Sequence, residues 1–144
     1  MRLRGAHVTR FHATFLALVV TQATHSYEEY VGRLYEVFAP ARLVSGLISR
    51  DLERGFLIFN TTLVLFGFWC FFWPVRRGWP AAVPLAWLWV AIELLNGIGH
   101  PLWSLRQLRY TPGVATAVVL LFIALYLMRQ LRALGHPPAA RTRS

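Results

Sequence analysis

The chain has 144 residues, 56% of them hydrophobic, with 15 basic against 6 acidic side chains and a formal charge of +9. Its mean hydropathy of +0.46 implies more apolar surface than a soluble domain of this length can cover, so lipid is the expected solvent. Every basic residue is Arg, and no helix-turn-helix, RNA-binding or Gly-rich phosphate pattern is present; no nucleic-acid partner is expected, and the charge is expected to orient membrane helices and meet anionic lipid.

In chain order, a first span is expected from about Phe11 to Val31, after the basic start "MRLRGAHVTR". The same stretch has the parts of a secretory leader, with "FHATFLALVV" as its apolar region and Thr21-Gln22-Ala23 as a cleavage site. Against cleavage stand the partners that residues beyond Ala23 find elsewhere in the chain. Next, "ARLVSGLISRDLERG" (41–55) sets Leu43/Val44, Leu47/Ile48 and Leu52 at helical spacing among Arg42, Arg50, Asp51 and Arg54. That pattern predicts an amphipathic helix lying on the membrane surface. The second span is expected over Phe56 to Trp73, the third over Ala81 to Trp103 and the fourth over Pro112 to Met128. Thr111 is the expected N-cap of the fourth, with Pro112 at its first helical position.

The fold class that follows is an all-α membrane protein: a four-transmembrane-helix bundle with an interfacial helix between spans 1 and 2. It occupies residues 1–134 as a single domain, and "GHPPAARTRS" (135–144) reads as a disordered basic tail. With four spans, both termini and the 74–80 loop share one side and collect nine of the Arg residues, against six on the other. The positive-inside rule then makes the termini cytoplasmic, in a multi-pass protein of the cell inner membrane. Trp69, Trp73 and Trp79 would mark the inner interface and Trp103 the outer one.

Polar residues interrupt these spans in a pattern. Gln22, His25 and Glu29 follow at i, i+3 and i+7 on the first, with Glu28 on the adjoining edge; Glu93, Asn96 and His100 repeat that spacing on the third. Asn60 lies near the outer end of the second, and Arg109 and Tyr110 stand where the fourth begins. Alternating helix direction puts all of them in the outer half of the bilayer. An isolated charge at mid-bilayer costs about 2.5–3.5 kcal/mol on insertion scales, so these groups are expected to face one another inside the bundle.

His25-Ser26-Tyr27-Glu28-Glu29 matches a His-x-x-Glu-Glu motif, Asn96-Gly97-Ile98-Gly99-His100 an Asn-x-x-x-His element, and Arg109-Tyr110-Thr111-Pro112-Gly113 a Tyr-x-Pro-Gly element before the last span. Over roughly residues 11–130 the chain thereby resembles the HXXEE-domain family of small bacterial multi-pass membrane proteins. The resemblance implies a membrane protein with a suspected active site and supplies no reaction.

Three chemistries fit the residues. The first is a metal site: His25 and His100 with Glu28, Glu29 and Glu93 form a ligand set for Fe, Mn or Zn. His-x-x-Glu puts two ligands on one helix face, as in di-iron bundles, but five ligands fall short of the six used there. Cys70, the only cysteine, excludes a cysteine-based site. The second is metal-free acid/base isomerisation of a lipid-like substrate by the same imidazoles and carboxylates. Asn60 and Asn96 would orient the groups, Tyr110 would donate a proton or hydrogen bond, and Trp87 and Trp89 would form an apolar or cation-stabilising wall. The third is non-catalytic: ion passage, lipid binding or assembly with a partner, in a chain with no internal repeat to suggest alternating access. Each residue also has a plain reading. His25 and His100 would be interfacial, Glu93 structurally paired, Asn60 helix glue, and Arg109 and Tyr110 interface anchors.

Overall fold

Six α-helices account for nearly all of residues 2–135, the part of the chain this computed structural model describes. They are α1 (Arg2–Val31), α2 (Leu34–Val37), α3 (Ala39–Ile48), α4 (Leu52–Cys70), α5 (Ala82–Gln107) and α6 (Val114–Gly135), with α4 running on into a π-helical turn, Phe71–Val75. The expected basic tail, apart from Gly135, lies outside the described residues.

Several boundaries differ from the sequence expectation, each for a local reason. The surface helix stops at Ile48, and residues 52–55 open α4 instead. Asp51 caps that start, its Oδ1 accepting from the Arg54 amide at 3.2 Å. α2 was not expected; it is a single turn following Arg33, whose backbone is left-handed (φ 54°). α5 passes through Pro101 without stopping, although proline cannot donate back to the carbonyl of Gly97. His100 therefore sits within a helix and not at its end.

Three helices are long and apolar enough to cross a membrane: Leu52–Val75, Ala82–Gln107 and Val114–Leu134. The four-span expectation is met to that extent. α1 is 30 residues long, but Gln22, His25, Glu28 and Glu29 dilute its apolar character. It is continuous through Thr21–Ala23, with Phe15, Leu18 and Val19 before that point and His25 and Glu29 after it all buried in the bundle. On α3, Ala41 packs against the Leu34, Tyr35 and Phe56 cluster and Ser45 is buried, whereas Leu43 and Leu47 are exposed.

Side-chain contacts give the helix directions. Near the N-terminal half of α1, His12 Nε2 lies 3.1 Å from the Val75 carbonyl at the far end of α4, and Gln130 of α6 donates to Thr14 at 2.8 Å. Near its C-terminal half, His25 meets Thr116 of α6 and Tyr30 donates to Glu53 of α4. α4 and α6 thus run antiparallel to α1. α5 runs parallel to it, since Phe15 meets Trp89 and Glu29 meets His100.

The long helices stand in an arc. α5 packs along α6, α6 along α1 and α1 along α4, while among the described residues α4 and α5 have almost no close backbone approach. Gly97 permits the tightest of these seams: a Cβ there would lie 2.6 Å from Leu121 Cβ and 2.9 Å from its Cα. The open side of the arc is bridged by Trp89. Its ring stacks on Phe66 at 6.2 Å, and a Cβ at Gly67 would fall 2.9 Å from its Cζ2. Around Trp89 lies the main apolar core, with Phe15, Leu18, Val19, Ala86 and Ala124 fully buried. Above this core the arc holds the polar residues.

Overpacking at the α5–α6 seam should be costly. Gly97→Val is expected to destabilise the detergent-solubilised protein by about 1–3 kcal/mol. Gly99→Ala, with open space around its added carbon, should leave the thermal midpoint close to that of the parent.

Candidate metal centre

Glu29 is the point on which two imidazoles converge. Its Oε1 lies 3.2 Å from His25 Nε2, one helical turn earlier on α1, and 3.0 Å from His100 Nε2 on α5. All three side chains are buried; His25 has no exposed surface. The rings meet edge to face at 4.8 Å between centroids.

What turns both rings this way lies on their other side. His100 Nδ1 is 2.9 Å from the carbonyl oxygen of Pro112. A carbonyl can only accept, so this nitrogen carries the proton. His25 Nδ1 is 2.8 Å from Thr116 Oγ1. The threonine hydroxyl gives its own hydrogen to Glu28 Oε2 at 2.5 Å, so towards His25 it accepts. Both Nδ1 atoms are therefore donors, and in the neutral rings both Nε2 atoms present lone pairs to a carboxylate. His25 Nε2 has no partner in hydrogen-bond geometry, although Glu29 Oε1 lies 3.2 Å away. Such a convergence of donor atoms is unfavourable unless a cation, a proton or a metal, stands among them.

The turn before α6 is shaped to these rings. Gly113 has a left-handed backbone (φ 86°), and a Cβ there would lie 2.7 Å from Cε1 of His100 and 2.9 Å from Cε1 of His25. Gly32 plays the matching part at the end of α1, where a Cβ would fall 2.5 Å from Pro112. Thr111 is not the N-cap it was expected to be: its hydroxyl is buried without a partner, and α6 begins only at Val114. Glu28 supplies the cap from another helix. It accepts from the amides of Ala115 (3.2 Å) and Thr116 (2.9 Å), from the Thr116 hydroxyl and from the Tyr110 phenol. The positive end of the α6 dipole favours a carboxylate there. That hydrogen bond also pushes the Tyr110 phenol up to about 12.

A family model described as a protein of unknown function with HXXEE motif matches residues 15–127. The chain belongs to the HXXEE family. Comparison with curated proteins and with solved structures gives no match. In this HXXEE protein the motif letters have separate tasks. The His and the second Glu, at i and i+4, face the interior together, while the first Glu, at i+3, reaches sideways to clamp α6. The Tyr-x-Pro-Gly element answers residue by residue: Tyr110 binds Glu28, Pro112 offers its carbonyl to His100, and Gly113 makes room for both rings.

Of the five ligands expected from sequence, the structure brings three together. Ligand atoms of His25, Glu29 and His100 lie within 4.8 Å of one another. Glu28 stands outside because both of its oxygens are committed to α6 and Tyr110. The α1 residues that could hold a metal together are thus His25 with Glu29 and not His25 with Glu28. Glu93 also stands outside the cluster. It is fully buried and held by donors: Asn96 Nδ2 at 3.2 Å, and the Gln22 amide nitrogen, turned towards it, at 3.0 and 3.1 Å.

The remaining candidates fall on either side of a cleft of about 270 Å³ that reaches Glu29 and His100. Asn60, Asn96 and Gln22 line it. Asn60 Oδ1 accepts from Ser26 at 2.8 Å, tying α4 to α1. Neither Trp87, on an exposed face, nor Tyr110, beside Glu28, is in its lining, and Trp89 fills the core beneath. Thr116 was missed in the sequence, for a threonine in an apolar helix carries no sign of which imidazole it will face.

The donor set fits a divalent ion. Ligands at ~2.0–2.1 Å from a tetrahedral zinc are roughly 3.3 Å apart, close to the two distances from Glu29 Oε1, while the 4.8 Å span of the set means that its ligand atoms would draw inward around an ion. Two imidazoles and one carboxylate also form the facial set that binds Fe(II). An unbonded, buried Nε2 and two Nδ1 atoms already donating to outer partners are what a metal-binding histidine pair requires.

Removing the clamp should separate its two roles. Glu28→Ala is expected to cost about 1–2 kcal/mol, as for a lost helix cap, with faster hydrogen exchange at the Ala115 and Thr116 amides. Thr116→Val keeps Glu28 on those amides and should leave the exchange of Ala115 unchanged, read by exchange mass spectrometry.

Proposed function

We propose that this chain is an integral membrane metalloprotein that holds one divalent ion (Fe, Mn or Zn) on His25, Glu29 and His100 and acts there on a lipid-like substrate. α1, α4, α5 and α6 are its four spans and α3 lies at the interface. Both termini face the cytoplasm across the inner membrane, and the metal lies in the outer half of the bilayer. The Arg distribution and the three apolar helices support this placement.

One observation carries the metal reading: the paired Nε2 atoms aimed at a single carboxylate oxygen while both Nδ1 atoms donate elsewhere. Bound there, the ion would supply Lewis-acid activation of an oxygen atom. The chain's own part is to orient both rings through Thr116 and Pro112, to exclude water with buried apolar walls, and to hold Glu93 and Asn96 beside the centre. A metal-free reading has one observation in its favour. The 3.0 Å between His100 and Glu29 is also the length of an imidazolium–carboxylate hydrogen bond, and in that case the cluster would move protons in place of a metal.

Metal analysis of detergent-purified protein decides between them. Wild type is expected to carry stoichiometric metal, His25→Ala and His100→Ala to lose it, and Glu93→Gln to keep it. Thr116→Val should weaken binding by about 10–100-fold, the usual cost of losing a histidine's outer partner. A wild-type protein that neither retains nor takes up Zn, Fe or Mn would remove the metal reading.

A further inference from the structure

The cleft beside the proposed centre has a shape, a polarity and an opening that together select a ligand. We propose that it takes an uncharged, single-chain lipid alcohol, which enters sideways between α4 and α5 with its hydroxyl leading. The inference deepens the metal reading by naming what approaches the centre. Only the placement of the hydroxyl against Glu29 and His100 rests on that reading.

The opening comes from the arc. α4 and α5 are the two ends of it, and Trp89 closes the gap between them at the level of the core. Above Trp89, with Pro40, Ala41, Val44 and Ser45 of α3 covering another side of the cleft, the side chains that line it from the two ends are Phe56, Phe59 and Leu63 of α4 and Ile92 of α5. These are hydrocarbon walls, suited to an acyl chain passing between helices. Phe59 is partly exposed on the surface of α4, which puts the mouth on the side of the molecule that lipid would cover.

Size selects a single chain. At ~30 Å³ for each water-sized group, a volume of about 270 Å³ admits about nine such groups. That accommodates a hydroxyl and the first stretch of one chain, whose remainder stays between the helices or in the bilayer. The phosphocholine head and glycerol of a phosphatidylcholine alone exceed about nine such groups and do not fit.

Polarity selects the head. The inner wall holds Gln22, Glu29, Asn60, Asn96 and His100, and no Arg lines the cleft, in a chain with fifteen of them. Asn96 gives one N–H to Glu93 and Asn60 gives one to the Phe56 carbonyl, while among the described residues nothing donates to the Asn96 carbonyl oxygen. The Asn96 carbonyl oxygen is then the acceptor left for a ligand, and it calls for a donor, an O–H group. A phosphate or an ionised carboxylate has no hydrogen to give that oxygen and meets no arginine in the cleft, so the metal ion itself would be its only counter-charge.

The test uses the full chain in nanodiscs and photolabelling with diazirine-bearing hexadecanol, palmitic acid and phosphatidylcholine. The alcohol probe is expected to label peptides containing Phe56–Leu63 or Ile92–Asn96, and excess unlabelled hexadecanol to suppress this labelling in the wild-type protein. Asn96→Leu should weaken it by about fivefold, the share of one hydrogen bond, and Leu63→Trp should block the cleft. The assignment is overturned if palmitic acid or phosphatidylcholine labels these peptides as strongly as the alcohol, or if unlabelled hexadecanol does not compete. Metal content measured on the same samples keeps the two ideas apart. Cleft labelling in a metal-free wild type would end the metal reading and uphold the alcohol, and metal without cleft labelling would do the reverse.

Discussion

Two ring nitrogens that can only donate govern the polar interior of this protein. His100 Nδ1 faces a carbonyl and His25 Nδ1 faces a hydroxyl whose hydrogen is already given away. With those ends fixed, both Nε2 atoms must point at Glu29. A carboxylate buried in an apolar bundle costs several kcal/mol unless something positive answers it. The surrounding backbone is arranged so that the answer is local. Gly113 lets the α6 turn approach both rings, Gly32 lets α1 approach that turn, and Gly97 draws α5 onto α6 so that His100 reaches across.

The adjacent pair Glu28 and Glu29 divides two tasks that adjacent residues on a helix can divide, since neighbours point about 100° apart. Glu29 faces the interior. Glu28 faces the start of α6 and satisfies amides that no residue of α6 itself can reach. The two tasks are linked through Thr116, whose hydroxyl accepts a hydrogen bond from His25 and donates one to Glu28. Orientation of the imidazole thus leans on Glu28 through one hydroxyl, while the α6 terminus is held by Glu28 through the Ala115 and Thr116 amides as well.

Glu93 belongs to a second polar layer on the core side of the first. Asn96 and Gln22 surround it with amide donors, and beside them Ser26 of α1 donates to Asn60 of α4. This layer lies between the imidazole cluster and the apolar core around Trp89. Trp89 is large enough to join α4 to α5 without their backbones meeting, and so the arc stays open where the polar layers are and closed where the core is.

The sequence by itself determined that helices would carry His25, Glu29, Glu93, Asn96 and His100 inward above the apolar core of a bundle, because a 3.6-residue period and the cost of a lone charge in lipid leave little else; that they form two layers it did not show. It also marked Tyr110, Pro112 and Gly113 as a unit. It did not decide which carboxylate would join the imidazoles. Glu28 and Glu29 differ by one position, and either spacing, i+3 or i+4, places a carboxylate within reach of His25. Only the packing of α6 against α1 separated them, by presenting free amides to Glu28 and leaving Glu29 to the interior. The start of α6 was misplaced for the same reason. Thr111-Pro112 has the local chemistry of a helix start, but the cap came from another helix, and a bond between residues 88 positions apart leaves no trace in local spacing. Trp89 likewise reads as site or core with equal ease until the arc of helices shows which gap its ring must fill.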